Sequence, residues 1–360
     1  YNVSMDNYEK NYLSKRPENL CRLCGFCCRV ATTSIPYEKL KQMAKEGNQG
    51  AIDFLFLFDF CNFTRYFEIM LTRFLFYFIL YPLSILPLYL LYLLFVPIYL
   101  IMSYIVCYRR KVVDKNLSLS FPQWSKKEVK IVRNKFYWHL TQIAAEMLKM
   151  LSMSRENVMR RYHCSNPHLV NRFFDEGKSV VLVSSHYNNW EWMVLSLDMQ
   201  FKHHGIGVGA HNTNKVFEKL INRARTRYGT QVVFHDNVRE VMQYHETNHL
   251  PAAYMILSDQ SPSNPLRCYV TDFLYQRTAF IRGAEGFARK YNLPVLYYEV
   301  IKERWGRYRI DVQIVTESPD VLPDGAVMQR YSELLEKTIQ KQPQFWMWSH
   351  RRWKPKFQNL

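Results

Sequence analysis

The sequence lacks several motifs that would assign it to a common functional class. It has no G-x-S-x-G elbow, so a serine nucleophile of the α/β-hydrolase type is not expected. It has no RNA- or DNA-binding motif, and its aromatic residues lie mostly in apolar runs, so nucleic acid is not an expected partner. Internal repeats are absent. The eight cysteines do not form the pattern of a secreted disulfide framework.

Acidic residues are few. The 360 residues include 48 lysines and arginines against 31 aspartates and glutamates, which gives a formal net charge of +17. In residues 108–163 the count is 13 against 4. Acidic partners are therefore expected. Because this basic stretch directly follows the most apolar segment, an anionic membrane surface is the acidic partner that the sequence favours most.

The most apolar segment carries no charge. Residues 74–107 are 34 consecutive uncharged residues, whereas about 20 apolar residues suffice to cross a bilayer. Pro82, Pro87 and Pro97 are expected to kink or divide the run. The basic residues 109–111 follow at once, which predicts a cytoplasmic location for the C-terminal side. A single span and a re-entrant hairpin are both consistent with this pattern.

The N-terminal residues hold a dense group of cysteines. The sequence CRLCGFCCR contains Cys21, Cys24, Cys27 and Cys28, and its C-x-x-C spacings suit zinc or an iron–sulfur cluster. It resembles the opening of small cysteine-cluster proteins thought to chelate zinc or iron. Reduced free thiols, or a site completed by another chain, are the alternatives. We therefore expect a cysteine-cluster segment at 1–65, a membrane segment at 66–107 and a main domain at 108–360.

The main domain alternates strand and helix patterns. Strands are predicted at 180–183, 205–210, 231–234, 252–257, 294–300 and 308–315, and helices at 215–228, 237–245, 283–291 and 327–340. An amphipathic helix at 126–153 is expected to cover the sheet, to lie against the membrane, or both. The expected fold class is α/β, a sandwich with a largely parallel sheet flanked by helices and preceded by the hydrophobic membrane segment.

Residues 178–193, KSVVLVSSHYNNWEWM, are the most informative stretch. A buried strand ends just before His186, and Glu191 follows in the predicted first turn of a helix that Asn188 would cap. On one helix the two side chains would diverge by about 140°, so they converge only in this strand-to-helix arrangement. A histidine polarised by a carboxylate is a general base. The alternative is a capping box formed by Asn188 and Glu191, beside an ordinary loop histidine.

SSHYNNWEW resembles the His-x-x-x-x-acid motif of the late acyltransferases of lipid A biosynthesis, the lauroyl and myristoyl type. The likeness covers about residues 74–356 and includes YRRKVVDKNLSLSFPQWSKKE, SDQSP, RTAFIRGAEGFARKYNLPV and FWMWSHRRWK. Asn188 and Tyr275 stand where glycine is usual, which affects local loop shape but no proposed catalytic side chain. The resemblance implies an acyltransferase-type sandwich, with residues 108–360 as the catalytic domain.

The resemblance also implies an activity. A fatty acyl chain would move from an acyl carrier protein thioester to a hydroxyl of a lipid A precursor, with His186 as base, Glu191 as its orienting acid and no cofactor consumed. Membrane lipids would be further partners. The enzyme would lie at the cell inner membrane with its catalytic domain on the cytoplasmic face. The alternatives are an acyltransferase for an aminolipid or lysophospholipid, and a non-enzymatic membrane sensor of metal or redox state.

Other polar residues are expected to bind substrate. The resemblance implies an arginine that contacts acyl or phosphate oxygens, and Arg225 and Arg227 match it best. The alternative is that these arginines, at the end of a predicted helix, stabilise its dipole. Asp259 and Gln260 follow a strand end, as His186 does, so one cleft is expected to hold them; a turn is the alternative. The expected substrate-binding residues are Asn214, Arg225, Arg227, Asp259, Gln260, Arg277 and Arg282.

Overall fold

The computed structural model describes residues 37–48, 51, 55, 66–262 and 268–354. The chain divides into two compact units, Tyr1–Phe76 and Tyr77–Leu360. Cys21, Cys24, Cys27 and Cys28 lie outside the described residues, so metal binding by this group stays a prediction.

Among the described residues before the main domain, three helices have defined bounds. They are α1 (Tyr37–Lys45), α2 (Tyr66–Ile85) and α3 (Leu88–Ile105). By length and composition α2 and α3 could each cross a membrane. The apolar run is divided at Pro87, which lies before α3 with ψ at 142°, outside the helical region. Pro82 lies within α2 and Pro97 within α3, so Pro87 is the one of the three prolines that separates the two helices.

Nine strands and nine further helices are described in the rest of the chain. The helices are α4 (Arg110–Ser120), α5 (Lys126–Met150), α6 (Arg155–Arg161), α7 (His168–Asp175), α8 (Trp190–Gln200), α9 (Lys215–Arg225), α10 (Val238–Thr247), α11 (Gly283–Tyr291) and α12 (Ala326–Lys341). The strands are β1 (Tyr162–Cys164), β2 (Val180–Ser184), β3 (His204–Gly209), β4 (Gln231–Phe234), β5 (Ala252–Leu257), β6 (Cys268–Phe273), β7 (Gln276–Ile281), β8 (Val295–Arg304) and β9 (Arg307–Thr316).

Seven strands form one sheet in the order β1-β9-β8-β2-β5-β3-β4. Every neighbouring pair is parallel except β8 and β9, which form an antiparallel hairpin. The predicted fold class, α/β with a largely parallel sheet flanked by helices, is confirmed. β2 lies near the centre and is buried along its whole length, as its run of apolar β-branched residues predicts.

β6 and β7 form a separate two-stranded hairpin that the sequence did not predict. Its two-residue turn consists of Leu274 and Tyr275, with φ at +50° and +61°. Turns of this type normally contain asparagine, aspartate or glycine, because φ is positive at both central residues. The glycine that the resemblance leads us to expect at the position of Tyr275 would therefore have a backbone reason.

α5 is the long helix that the amphipathic pattern predicts, although it ends at Met150 and not at residue 153. It begins with a capping box, in which Ser125 Oγ accepts from the Glu128 backbone N–H and Glu128 accepts from the Ser125 N–H at 2.7 Å. Its buried surface includes the fully buried Glu146. α5 is therefore more than a simple amphipathic cover, because it presents a polar group to the interior.

Candidate active site

The register of two central strands places His186 beside Asp259. β2 and β5 are adjacent and parallel, and Ser184 pairs with Leu257 at their last residues. Because both strands end at the same edge, residues two positions further on lie next to each other. Asp259 Oδ1 is 2.7 Å from His186 Nδ1, and Asp259 Oδ2 accepts from the His186 backbone N–H at 3.0 Å.

Asp259 is held in one orientation. Its Oδ2 accepts a further bond from Trp346 Nε1 at 2.9 Å, and its side chain is 3% exposed, against 19% for His186. A carboxylate in this position favours the tautomer in which His186 Nδ1 carries the proton. The lone pair then lies on Nε2, where the Gln260 side-chain amide approaches to 3.2 Å.

Charge determines the protonation of this pair. Burial alone lowers the pKa of His186, but the charge and hydrogen bond of Asp259, together with the charge of Glu191, raise it above the usual value. For Asp259, burial raises the pKa, and the bonds and charge of His186 outweigh that effect and lower it. Asp259 is therefore ionised at neutral pH, and His186 is a stronger base than an ordinary histidine.

Glu191 has a different partner from the expected one. Among the described contacts, the carboxylate on the His186 ring is that of Asp259, while Glu191 accepts two bonds from Arg225, at 2.9 Å from Nε and 2.7 Å from Nη2. Arg225 is the last residue of α9 and reaches the first turn of α8, where it donates to both carboxylate oxygens of Glu191. Glu191 thus acts on His186 through its charge and not through a direct bond.

The helix cap also differs from the prediction. Asn189, and not Asn188, caps α8, since its Oδ1 accepts from the Trp192 backbone N–H at 3.0 Å. Asn188 has φ at +52° and is buried, and its Nδ2 donates to the Val300 carbonyl at 2.6 Å. Asparagine tolerates this left-handed conformation better than most residues, which explains why it can stand where glycine is usual.

Glu146, which the sequence reasoning missed, anchors the turn after His186. Its Oε2 accepts from Asn189 Nδ2 and from the Tyr308 hydroxyl, each at 2.7 Å, and its Oε1 accepts from the Tyr92 hydroxyl at 2.5 Å. Burial raises the pKa of Glu146, and the nearby charge of Lys302 and these hydrogen bonds oppose that shift. A glutamate within the buried stripe of an amphipathic helix was the available signal. Glu146 links α3, α5, the sheet and the catalytic turn.

A cavity of about 910 Å³ opens at His186. This volume is typical of ligand sites, about 300–1,000 Å³. Much of its surface is apolar. The apolar residues lining it include Val194, Val208, Val232, Met255, Ile256, Leu257, Ile281 and Phe287. Glu191, Arg225 and Gln260 also line it. The cavity therefore combines a general base and a cation with a surface suited to a hydrocarbon chain.

The other expected substrate-binding residues lie elsewhere. Arg225 and Gln260 line the cavity, whereas Asn214, Arg227, Arg277 and Arg282 are not among its described lining residues. Asn214 caps α9 by accepting from the Phe217 N–H at 2.9 Å. Arg277 lies 3.9 Å from Asp272 across the β6–β7 hairpin.

Arg227 and Arg282 also have structural partners. Arg227 donates to the carbonyl oxygens of Met150 and Leu151 at 2.7 Å and also to that of Met153, so it closes the C-terminal end of α5. Arg282, which precedes α11, pairs with Asp324.

A His–Asp pair at the carboxyl edge of a largely parallel sheet, facing a largely apolar cavity, is the arrangement expected of an enzyme that acts on a substrate with a hydrocarbon chain. The family model for bacterial lipid A biosynthesis acyltransferases matches residues 60–355, and the chain belongs to this family. It is therefore an acyltransferase of lipid A biosynthesis, as the sequence motifs predict. No curated protein matches the chain.

Proposed function

We propose that the enzyme transfers a fatty acyl group from the thioester of acyl carrier protein to a hydroxyl of a lipid A precursor at the inner membrane. Family membership supports acyl transfer and a lipid A precursor as acceptor. The observation that carries the chemistry is the bonded pair His186–Asp259 at the mouth of an apolar cavity.

The pair supports direct attack by the acceptor. His186 Nε2 removes the proton from the acceptor hydroxyl while that oxygen bonds to the thioester carbonyl carbon. Asp259 stabilises the imidazolium that forms. The tetrahedral intermediate then expels the thiolate, the C–S bond breaks, and His186 returns its proton to sulfur. No enzyme nucleophile is consumed, and the products are an ester and the free thiol of the carrier.

Arg225 and Gln260 are polar donors that line the cavity at His186. Glu191 fixes the Arg225 guanidinium through two bonds, so its charge faces the cavity in a defined orientation. We assign Arg225 to an oxygen that carries negative charge, on the intermediate or on the acceptor. The Gln260 side-chain amide contacts His186 Nε2 at 3.2 Å, and the acceptor hydroxyl displaces this amide when it binds to Nε2.

Membrane attachment is proposed through α3. Its outward surface exposes Tyr89, Leu93 and Ile105. Both of its ends lie against α5: just before its start Lys149 Nζ donates to the Leu86 carbonyl at 3.0 Å, and just beyond its end the Tyr137 hydroxyl donates to the Tyr108 carbonyl at 2.5 Å.

These attachments favour an interfacial placement over a crossing. A spanning helix separates its ends by about 30 Å of hydrocarbon. If α3 crossed, α5 would enter the hydrocarbon together with its charged side chains, which is costly. We therefore infer that α3 lies in the membrane interface with its apolar surface in lipid, as a re-entrant or monotopic helix. The basic residues 109–111, directly after α3, support a cytoplasmic location for the catalytic domain.

Mass spectrometry of lipid A from cells with and without this protein tests the proposed reaction. We expect one acyl chain fewer on lipid A when the gene is deleted, and restoration by the wild-type protein but not by His186→Ala. With purified enzyme, acyl carrier protein thioester should be consumed only when the precursor is present. Transfer to an aminolipid or a lysophospholipid, with lipid A unchanged in the cells, would contradict the proposed acceptor.

A further inference from the structure

A second pocket, of about 340 Å³, lies between α5 and the β8–β9 hairpin. Trp138 and Trp305 line it, with ring centroids 6.0 Å apart. Each also contacts a tyrosine of α3, Trp138 with Tyr99 at 5.3 Å and Trp305 with Tyr92 at 5.6 Å. Trp305 is 58% exposed. Tryptophans at the border between an apolar helix and a polar body are typical of a membrane interface.

Three cations line this pocket, namely Lys135, Lys302 and Arg304. None of them forms an ion pair with a residue that the structure describes. Glu303, the one carboxylate among the described lining residues, lies 3.8 Å from Arg309. The described lining residues therefore carry three positive charges against one negative charge, and the buried Glu146, which acts on Lys302 through its charge, is not one of them.

The wall behind these cations is built from buried polar groups. Lys302 Nζ donates to Gln142 Oε1 at 2.6 Å and lies 3.4 Å from His139 Nδ1. Burial and the Lys302 charge lower the pKa of His139 well below the usual value, so its ring is neutral. Because the Lys302 ammonium can only donate, its contact with Nδ1 favours the tautomer with the proton on Nε2. His139 Nε2 and Gln142 Nε2 are both buried donors without an acceptor in the described part of the chain.

An excess of positive charge and tryptophans at the membrane interface both point to one kind of ligand. A phosphate supplies only acceptor oxygens and negative charge, and a lipid places it at the interface. We propose that this pocket binds the phosphate of a lipid headgroup through Lys135, Lys302 and Arg304. The inference rests on the proposed membrane attachment and not on the catalytic assignment.

The phosphate has two sources that share this chemistry: a membrane phospholipid, or the phosphate of the lipid A acceptor. The pocket shares no described lining residue with the cavity at His186. It does border the catalytic turn, because the Phe345 carbonyl, at the pocket wall, accepts from the Asn188 backbone N–H at 3.0 Å. A ligand at the pocket would therefore lie next to the active site without entering it.

The first experiment measures lipid retention. The full-length protein is equilibrated with equal amounts of phosphatidylglycerol and a phosphate-free glycosyl diacylglycerol with the same acyl chains, and bound lipids are identified by native mass spectrometry. Lys135→Gln/Arg304→Gln removes two pocket charges. The control variant, Lys127→Gln/Lys130→Gln, removes two exposed charges of α5, the helix that carries Lys135. Neither of these lysines lines the pocket. We expect about a 10- to 30-fold loss of phosphatidylglycerol preference in the first variant only.

The second experiment separates the two sources by comparing KM for the acceptor with and without its phosphate. Lost phospholipid preference with unchanged KM identifies a membrane phospholipid. A KM raised only for the phosphorylated acceptor identifies the acceptor. The proposal is overturned if the two double variants behave alike in both assays, whether both keep the preference or both lose it. His186→Ala should retain lipid like the wild type, so failure of the catalytic assignment would leave this result intact.

Discussion

Asp259→Asn tests the assignment of the catalytic pair most directly. The Oδ2 side of Asp259 meets two donors, the His186 backbone N–H at 3.0 Å and Trp346 Nε1 at 2.9 Å. An asparagine will therefore place its oxygen there and turn its NH₂ group toward His186 Nδ1. Facing a donor, Nδ1 must carry the lone pair, so the proton moves to Nε2. Nε2, which must take the proton of the substrate hydroxyl, is then already protonated.

The expected loss is large because the wrong tautomer removes the base. The same exchange in the catalytic triad of serine proteases lowers kcat by about 10⁴-fold through this effect. We expect about 10³- to 10⁴-fold here, which corresponds to about 4–5.5 kcal/mol of transition-state stabilisation. One effect acts in the opposite direction. Without Asp259 the pKa of His186 falls, so a larger fraction of His186 is neutral at pH 7.

The pH profile provides the second measurement. A general base acts when deprotonated, so activity rises as the pH passes upward through the pKa of His186. Because Asp259 raises that pKa, the acid limb of kcat/KM should lie at higher pH in the wild type than in Asp259→Asn.

Asp236→Asn is the matched control, because it makes the same change in another His–Asp pair. Asp236 Oδ2 lies 3.1 Å from His211 Nε2, and the Asp236 side chain is 60% exposed. It should leave both rate and profile unchanged. A folded Asp259→Asn enzyme with near wild-type kcat and an unmoved acid limb would refute the pairing.

Three further predictions concern other residues. Glu191→Gln should shift the acid limb downward by less than Asp259→Asn does, because Glu191 raises the His186 pKa through charge alone; full activity with an unchanged profile would reduce Glu191 to a structural residue. Tyr275→Gly should stabilise the fold by about 1 kcal/mol in urea unfolding, since it relieves a left-handed conformation; no gain would mean that the exposed ring contributes as much. Deletion of residues 1–65 should remove bound zinc or iron, measured by elemental analysis of anaerobically purified protein, and leave acyl transfer measurable; absence of metal in the full-length chain would favour free thiols.

Local sequence patterns predicted most of the fold because each element depends mainly on its own residues. The buried strand β2 follows from its apolar β-branched run, and the predicted bounds of β5 and α11 agree with those observed. The β6–β7 hairpin was missed because Leu274 and Tyr275 occupy a turn that normally contains glycine or asparagine. Tertiary packing holds that turn against its intrinsic preference, with Leu274 fully buried.

The candidate site shows where local patterns stop being sufficient. His186 and Glu191 were found together because they are five residues apart, yet the carboxylate on the ring belongs to Asp259, 73 residues further along the chain. Their contact follows from the adjacency of β2 and β5 and from the pairing of Ser184 with Leu257, and neither fact can be read from either strand alone. Once that register is known, the two residues must face each other, because each stands two positions beyond a paired strand end. The sequence had marked both as polar residues at strand ends, so the missing information was the order of the strands and not the identity of the residues.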